Sequence, residues 1–209
     1  MIQDALQVLQ STGALLEGHF VLTSGRHARE YLNKDALYPH TAETSELCRQ
    51  IANLADSSTQ VVAAPAIGGV ILSQWVAHHL SILLQTEVLA VYAEPGLDNT
   101  LIFKRGYDLL IPGRQVLVVE DVLTTGGSAK KVVDAVRTLQ GEVTGVSVLC
   151  NRGGVTIEQL GNVPWLLALT TLPMESYPPG DCPLCRDGVP ISTEVGKGAE
   201  FLANRANVR

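Results

Sequence analysis

The chain has 209 residues, of which 46% are hydrophobic, 17% charged and 5% aromatic, with a formal net charge of -6. That length suits one domain with a substantial core, or one domain with a small appendage, and the aliphatic composition excludes a disordered chain. The acidic balance counts against general affinity for nucleic acid, which needs a basic face to release counterions. No apolar run reaches the roughly 18 residues that span a bilayer. Gln3 and Asp4 stand where a secretory leader would carry basic residues, so a cytoplasmic protein is expected.

In chain order, Ile2, Ala5, Leu6 and Leu9 predict a helical face over residues 1–12, with Gly13 as its stop. Residues 14–33 lack helical periodicity, and their Gly and Ser positions predict short strands joined by a turn. A helix is expected over 41–55, a strand over 61–64, a helix over 69–83 and a strand over 87–92. Residues 95–106 read as a polar, glycine-containing loop. Strand 116–119, helix 129–140, strand 143–150 and a last strand near 165–170 follow. This alternation predicts an α/β fold with a parallel sheet and right-handed crossovers. The Pro- and Gly-rich segment 173–198 shows no periodic element and reads as a loop cover or a partly mobile tail. The expected division is an N-terminal helix and hood over 1–40, a core over 41–172 and a C-terminal segment over 173–209.

The most informative run is Val116-Leu-Val-Val-Glu-Asp-Val-Leu-Thr-Thr-Gly-Gly-Ser128. An apolar stretch of this kind is a strand buried on both faces, and open α/β folds hold ligands at the carboxyl edge of such strands. The loop then offers backbone N–H groups and hydroxyls at a helix N-terminus, which favours a phosphate. Glu120 and Asp121 beside it suit sugar hydroxyls or a divalent cation. A phosphorylated sugar satisfies both demands.

Cys182 and Cys185 form a Cys-Pro-Leu-Cys pair whose spacing suits zinc, but a structural site needs two more ligands. His40 and Cys48 are the sequence candidates, and a loop turned by Pro183 is the preferred reading.

The run 118–128 resembles the phosphoribosyl-diphosphate (PRPP) motif of type I phosphoribosyltransferases. Gly13-Ala-Leu-Leu-Glu-Gly-His-Phe-Val-Leu-Thr-Ser-Gly-Arg26, Asn33 and Asn151-Arg152 resemble the orotate phosphoribosyltransferase branch. The resemblance implies a type I phosphoribosyltransferase fold, a central parallel sheet flanked by helices with a small hood. It implies Mg²⁺-dependent transfer from PRPP to orotate, giving orotidine 5-phosphate and diphosphate, by a homodimer with shared active sites.

By the same resemblance, Glu120 and Asp121 bind the ribose hydroxyls, directly or around Mg²⁺, and Thr124, Thr125, Gly126, Gly127 and Ser128 wrap the 5-phosphate. Ala66, Ile67, Gly68 and Gly69 resemble the diphosphate-binding loop, which often holds a strained peptide bond. Arg152 faces the orotate carboxylate, with Thr125 and, from the hood, Thr23, Ser24, Gly25 and Arg26 nearby. Many members have Lys at the Thr23 position, and more often read Asp-Arg where this chain has Asn151-Arg152. Asp121, Lys104 and Arg105 are the expected catalytic groups. The family's mobile loop usually carries lysines and a histidine that neutralise the departing diphosphate. Here Lys104 and Arg105 are the only cations of 95–106, Pro95 stands near an expected basic residue, and His19 and His27 are poor substitutes. That thinning motivates a rival expectation, a protein that binds PRPP or a nucleotide and acts through a protein partner.

Overall fold

The computed structural model describes residues 4–22 and 24–206. They form two compact units. One comprises His40–Pro173, with Ala5 at the start of the first helix; the other comprises Leu6–Pro39 and the segment from Met174 onward.

The first unit is a six-stranded sheet between helices. Its elements are α2 (Thr41–Leu54), β3 (Val61–Pro65), α3 (Val70–Leu84), β4 (Leu89–Pro95), β5 (Leu101–Phe103), β6 (Gln115–Leu123), α4 (Gly127–Thr138), β7 (Glu142–Asn151) and β8 (Leu166–Thr171). Strand order is β5-β4-β3-β6-β7-β8, parallel except for the β4–β5 pair. β3, β6 and β7 carry buried apolar residues on both faces because helices cover both. Val61, Ala63, Val116, Val118 and Val146 pack with Val132, Val133 and Val136 of α4. The alternate residues Val62, Ala64, Leu117 and Val119 are equally buried and turn toward the opposite face. On the helices α2 and α3, Leu47, Ile51, Leu72, Val76 and Leu80 are fully buried.

Two expectations need correction. The segment 95–106 is not simply a loop: Leu101–Phe103 folds back on β4, pairing Ala93 with Phe103 and Pro95 with Leu101. Phe103 is buried and Ile102 exposed, a two-residue period too short to register against its polar flanks. The strand around 116–119 runs on to Leu123, so Glu120 and Asp121 lie within β6 and not beyond it.

The second unit joins both ends of the chain. It holds α1 (Ala5–Ser11), β1 (Leu15–Val21), β2 (His27–Leu32), β9 (Ser176–Tyr177), α5 (Pro183–Arg186) and α6 (Gly198–Ala206). Gly13 ends α1 with φ of 71°, a conformation that glycine adopts without penalty. β1, β2 and β9 form an antiparallel sheet in that order. The segment after 173 is therefore built into the fold, contrary to the reading of a tail. Its β9 pairs with His27 and Ala28, and Ser192 and Lys197 donate backbone N–H groups to His19 and Val21 of β1. Local periodicity fails there because the pairing is to residues some 150 positions earlier. Arg26 is spent in the same unit, its guanidinium donating to Oγ and the carbonyl of Ser176.

One glycine fixes the packing at the end of the first unit's sheet. A Cβ on Gly145 would lie 2.2 Å from the Trp165 ring, with backbone on either side held by the β7 ladder and by Val146 N–H to Trp165 O at 3.0 Å. Gly145→Ala is expected to lower unfolding free energy by about 1–3 kcal/mol, read from urea denaturation as a reduced midpoint at unchanged slope.

Candidate active site

The loop Thr124–Gly126 and the first turn of α4 enclose a cup of about 140 Å³, lined by Glu120, Val122, Leu123, Thr124, Thr125, Gly126, Gly127, Ser128 and Ala129. The helix begins at Gly127, two residues earlier than expected, so Ser128 belongs to its first turn. Gly126 caps α4 with φ of 76° and no side-chain hydrogen bond, which leaves the helix N-terminus turned to the cup. The Thr125 hydroxyl accepts from Gly127 N–H at 3.4 Å. Backbone donors, hydroxyls and the positive end of a helix are what a phosphate requires.

The cup is held from behind by the end of β7. Arg152 and Gly153 both donate their N–H groups to the Leu123 carbonyl at 3.0 Å. Gly153 sits so close that a Cβ would lie 1.7 Å from Thr124 O, and a Cβ on Gly126 would meet Val155 at 2.8 Å. Arg152 is thus fixed next to the Thr124–Gly126 loop, half-buried. Asn151 explains its own departure from the family's more frequent acid. Its Nδ2 donates to Val155 O at 2.9 Å and its Oδ1 accepts from Val155 N at 3.0 Å, a two-way clamp that aspartate cannot make. Cys150, one residue earlier, has its thiol pushed up to about 11 by burial.

Glu120 and Asp121 are only 6% and 4% exposed. Adjacent strand residues face opposite sides, and of the two Glu120 lines the cup. Each carboxylate curls onto the next backbone N–H: Glu120 Oε1 accepts from Asp121 at 3.2 Å, and Asp121 Oδ1 from Val122 at 2.7 Å. Two adjacent buried acids are costly in a scaffold and common at functional sites. Their donors are hard oxygens only, a set suited to Mg²⁺, which binds through one or two carboxylates together with substrate oxygens.

The loop after β3 lies at the same sheet edge. Register pairs Ala63 with Val118, which brings Pro65 level with Glu120. The peptide bond Ala66–Ile67 is cis, Ala66 N–H is held by Ala93 O at 2.8 Å, and the Ile67 side chain is exposed. Gly69 has a packing duty: a Cβ there would lie 2.7 Å from that of Ala64.

Lys104 and Arg105 do not line the cup. Lys104 Nζ donates to Pro95 O at 3.0 Å, and Arg105 pairs with Glu94 at 3.1 Å, holding that half-buried carboxylate below its usual pKa. Both follow β5, three strand positions from β6, a separation of about 14 Å. The hairpin they end packs on α4, where Leu101, Phe103, Ala135 and Leu139 line a cavity of about 300 Å³ that contains none of the predicted site residues. Ser24 and Gly25 form the β1–β2 turn of the other unit, with Gly25 N–H bonded to Leu22 O at 2.9 Å. Thr23 lies outside the described residues.

The zinc candidates drawn from sequence do not assemble. Cys48 is buried inside α2, its thiol pushed up to about 12 by burial, and His40 precedes the same helix in the first unit. What joins Cys182 and Cys185 is instead His19 and His27, all four ligand atoms lying within 4.8 Å of one another.

A parallel sheet with a phosphate cup at its carboxyl edge, two buried acids in the preceding strand and a second loop level with them define the phosphoribosyltransferase class. Residues 33–163 match the phosphoribosyl transferase domain family. An orotate phosphoribosyltransferase of Desulforamulus reducens is 38% identical over 90% of this chain and 93% of its own length; one of Caldicellulosiruptor bescii is 40% identical over 91% and 96%. The chain belongs to the orotate phosphoribosyltransferase family. Among solved structures, the orotate phosphoribosyltransferase of Aeropyrum pernix superposes with a TM-score of 0.62 at 27% identity, covering 81% of this chain and 94% of its own. That of Mycobacterium tuberculosis gives 0.63 at 23% identity, covering 81% and 97%, and agrees in fold. These relationships favour the enzyme over the partner-dependent rival.

The Asn151 clamp is testable. Asn151→Asp sets a carboxylate against the Val155 carbonyl and is expected to cost about 1–3 kcal/mol, measured by chemical denaturation at neutral pH.

Proposed function

We infer that the chain is an orotate phosphoribosyltransferase: a bond forms between an orotate ring nitrogen, which gives up its proton to solvent, and the ribose anomeric carbon of PRPP as the bond from that carbon to diphosphate breaks. The observation that carries this reading is the cup at the N-terminus of α4, with Glu120 in its wall, Asp121 beside it in β6 and Arg152 held at its back. Displacement at an oxocarbenium-like centre asks the protein for alignment and charge neutralisation more than for covalent chemistry.

Residues 124–128 hold the 5-phosphate through backbone N–H groups and hydroxyls. Glu120 and Asp121 take the ribose hydroxyls and, through them or through water, would hold Mg²⁺, which neutralises charge on the diphosphate. Ala66–Gly69 present backbone to that diphosphate. Arg152 gives the orotate carboxylate a planar, paired donor. Lys104 and Arg105 serve the leaving group by exchanging Pro95 and Glu94 for diphosphate oxygens. That encounter takes place at the neighbouring subunit's site in a homodimer, a reading that family likeness supports.

A cytoplasmic setting agrees with four unbridged cysteines. Among the described residues, no helix is long and apolar enough to cross a membrane.

Purified protein with PRPP, Mg²⁺ and orotate is expected to consume orotate, and Asp121→Asn to abolish turnover while the fold persists by circular dichroism. Folded wild-type protein that binds PRPP without consuming orotate would overturn the assignment. Lys104→Ala is expected to reduce kcat by about 10²-fold, as for loss of one preorganised donor to a developing anion. Unchanged kcat would remove Lys104 from the leaving-group role.

A further inference from the structure

We propose that His19, His27, Cys182 and Cys185 form a structural zinc site that ties the β1–β2 hairpin to the C-terminal segment. The four belong to the second unit. His19, His27 and Cys182 are at most 2% exposed, and Cys185 is partly buried.

The geometry is that of a four-ligand shell. Cys182 Sγ and Cys185 Sγ each lie 3.7 Å from His19 Nε2, and Cys185 Sγ lies 3.4 Å from His27 Nδ1. A tetrahedral zinc ion, with bonds of about 2.0–2.1 Å to nitrogen and 2.3 Å to sulfur, separates its N and S ligands by about 3.6 Å. The two ring nitrogens stand 2.8 Å apart and need to open by about 0.5 Å to fit the same shell.

Hydrogen bonding aims His19 as a ligand. Its Nδ1 lies 2.8 Å from the Val189 carbonyl, which can only accept, so Nδ1 carries the proton and Nε2 presents a lone pair to the cluster. A backbone carbonyl behind a histidine is the usual outer partner of a metal-bound imidazole. A doubly protonated ring would place a charge in a site where His19 is 2% exposed. On the far side of His27, Nε2 has no hydrogen-bond partner among the described residues and the Phe201 ring packs edge-on at 4.9 Å. The cluster-facing Nδ1 is thus where that ring does its polar work.

Local structure builds the site from two short pieces. His27 pairs with Val21, and His19, two residues before Val21, shares its face beside the bulge between Glu17 and Phe20. Pro183 starts α5, and one helical turn brings Cys182 and Cys185 to the same side. Thiolate and imidazole donors exclude Mg²⁺ and Ca²⁺, and four protein ligands leave no open position for catalysis. On binding, each thiol forms an S–Zn bond and releases its proton to solvent.

The test uses full-length protein prepared without chelator. Elemental analysis is expected to give one zinc per chain, and exchange with Co²⁺ the absorption of a tetrahedral, thiolate-bound cobalt. Cys182→Ser with Cys185→Ser should abolish both signals; Cys48→Ser should keep them. Should the double variant not fold, wild-type protein stripped with a chelator supplies the second reading: its melting temperature should fall and return with Zn²⁺. Protein lacking stoichiometric metal and taking up no Co²⁺ would overturn the proposal. So would a Cys182–Cys185 disulfide in freshly purified protein, or zinc retained by the folded double variant.

Discussion

The Leu123 carbonyl accepts two backbone hydrogen bonds, from Arg152 and Gly153, and the active-site corner depends on that junction. It brings the chain leaving β7 across the end of β6, so closely that position 153 has no room for a side chain. With Val155 pressed on Gly126 and Asn151 clamped to Val155, the phosphate loop has a fixed backing. A loop braced in this way presents its N–H groups without reorganising when the anion arrives, which is what makes such donors effective. The placement of Arg152 follows from the same contacts.

The edge of the sheet is organised differently. Lys104 and Arg105 are bound to Pro95 and Glu94, next to a short strand of three residues. These contacts are open to solvent screening and individually weak. They can be traded for stronger contacts with a polyanion. The cup is thus backed by backbone contacts, whereas the cations of the hairpin are held only by side-chain contacts at the sheet edge.

Much of this was legible in the sequence because its cause is local. Buried parallel strands write continuous apolar runs, and the phosphate loop compresses acids, hydroxyls and glycines into a dozen residues, 116–128. Strand β5 was hidden by its three-residue length. The duty of Asn151 depends on a loop partner four residues away, which spacing alone cannot distinguish from an ordinary strand end. The metal-ligand cluster was half visible: Cys182 and Cys185 carry the right spacing, but their companions lie more than 150 residues earlier. His40 and Cys48 were the wrong companions because the sequence does not reveal that the chain's two ends share a unit.

That shared unit sets an order of events during synthesis. The first unit is continuous from His40 to Pro173, so all its strands are available once that stretch has left the ribosome. The β1–β2 hairpin emerges earlier yet must wait for β9 and Cys182, which follow all six strands of the other sheet in the chain. Until then it is a two-stranded ribbon, which is marginally stable in water. A chain cut short before β9 would therefore hold every strand of the six-stranded sheet but only two of the three strands of the N-terminal one.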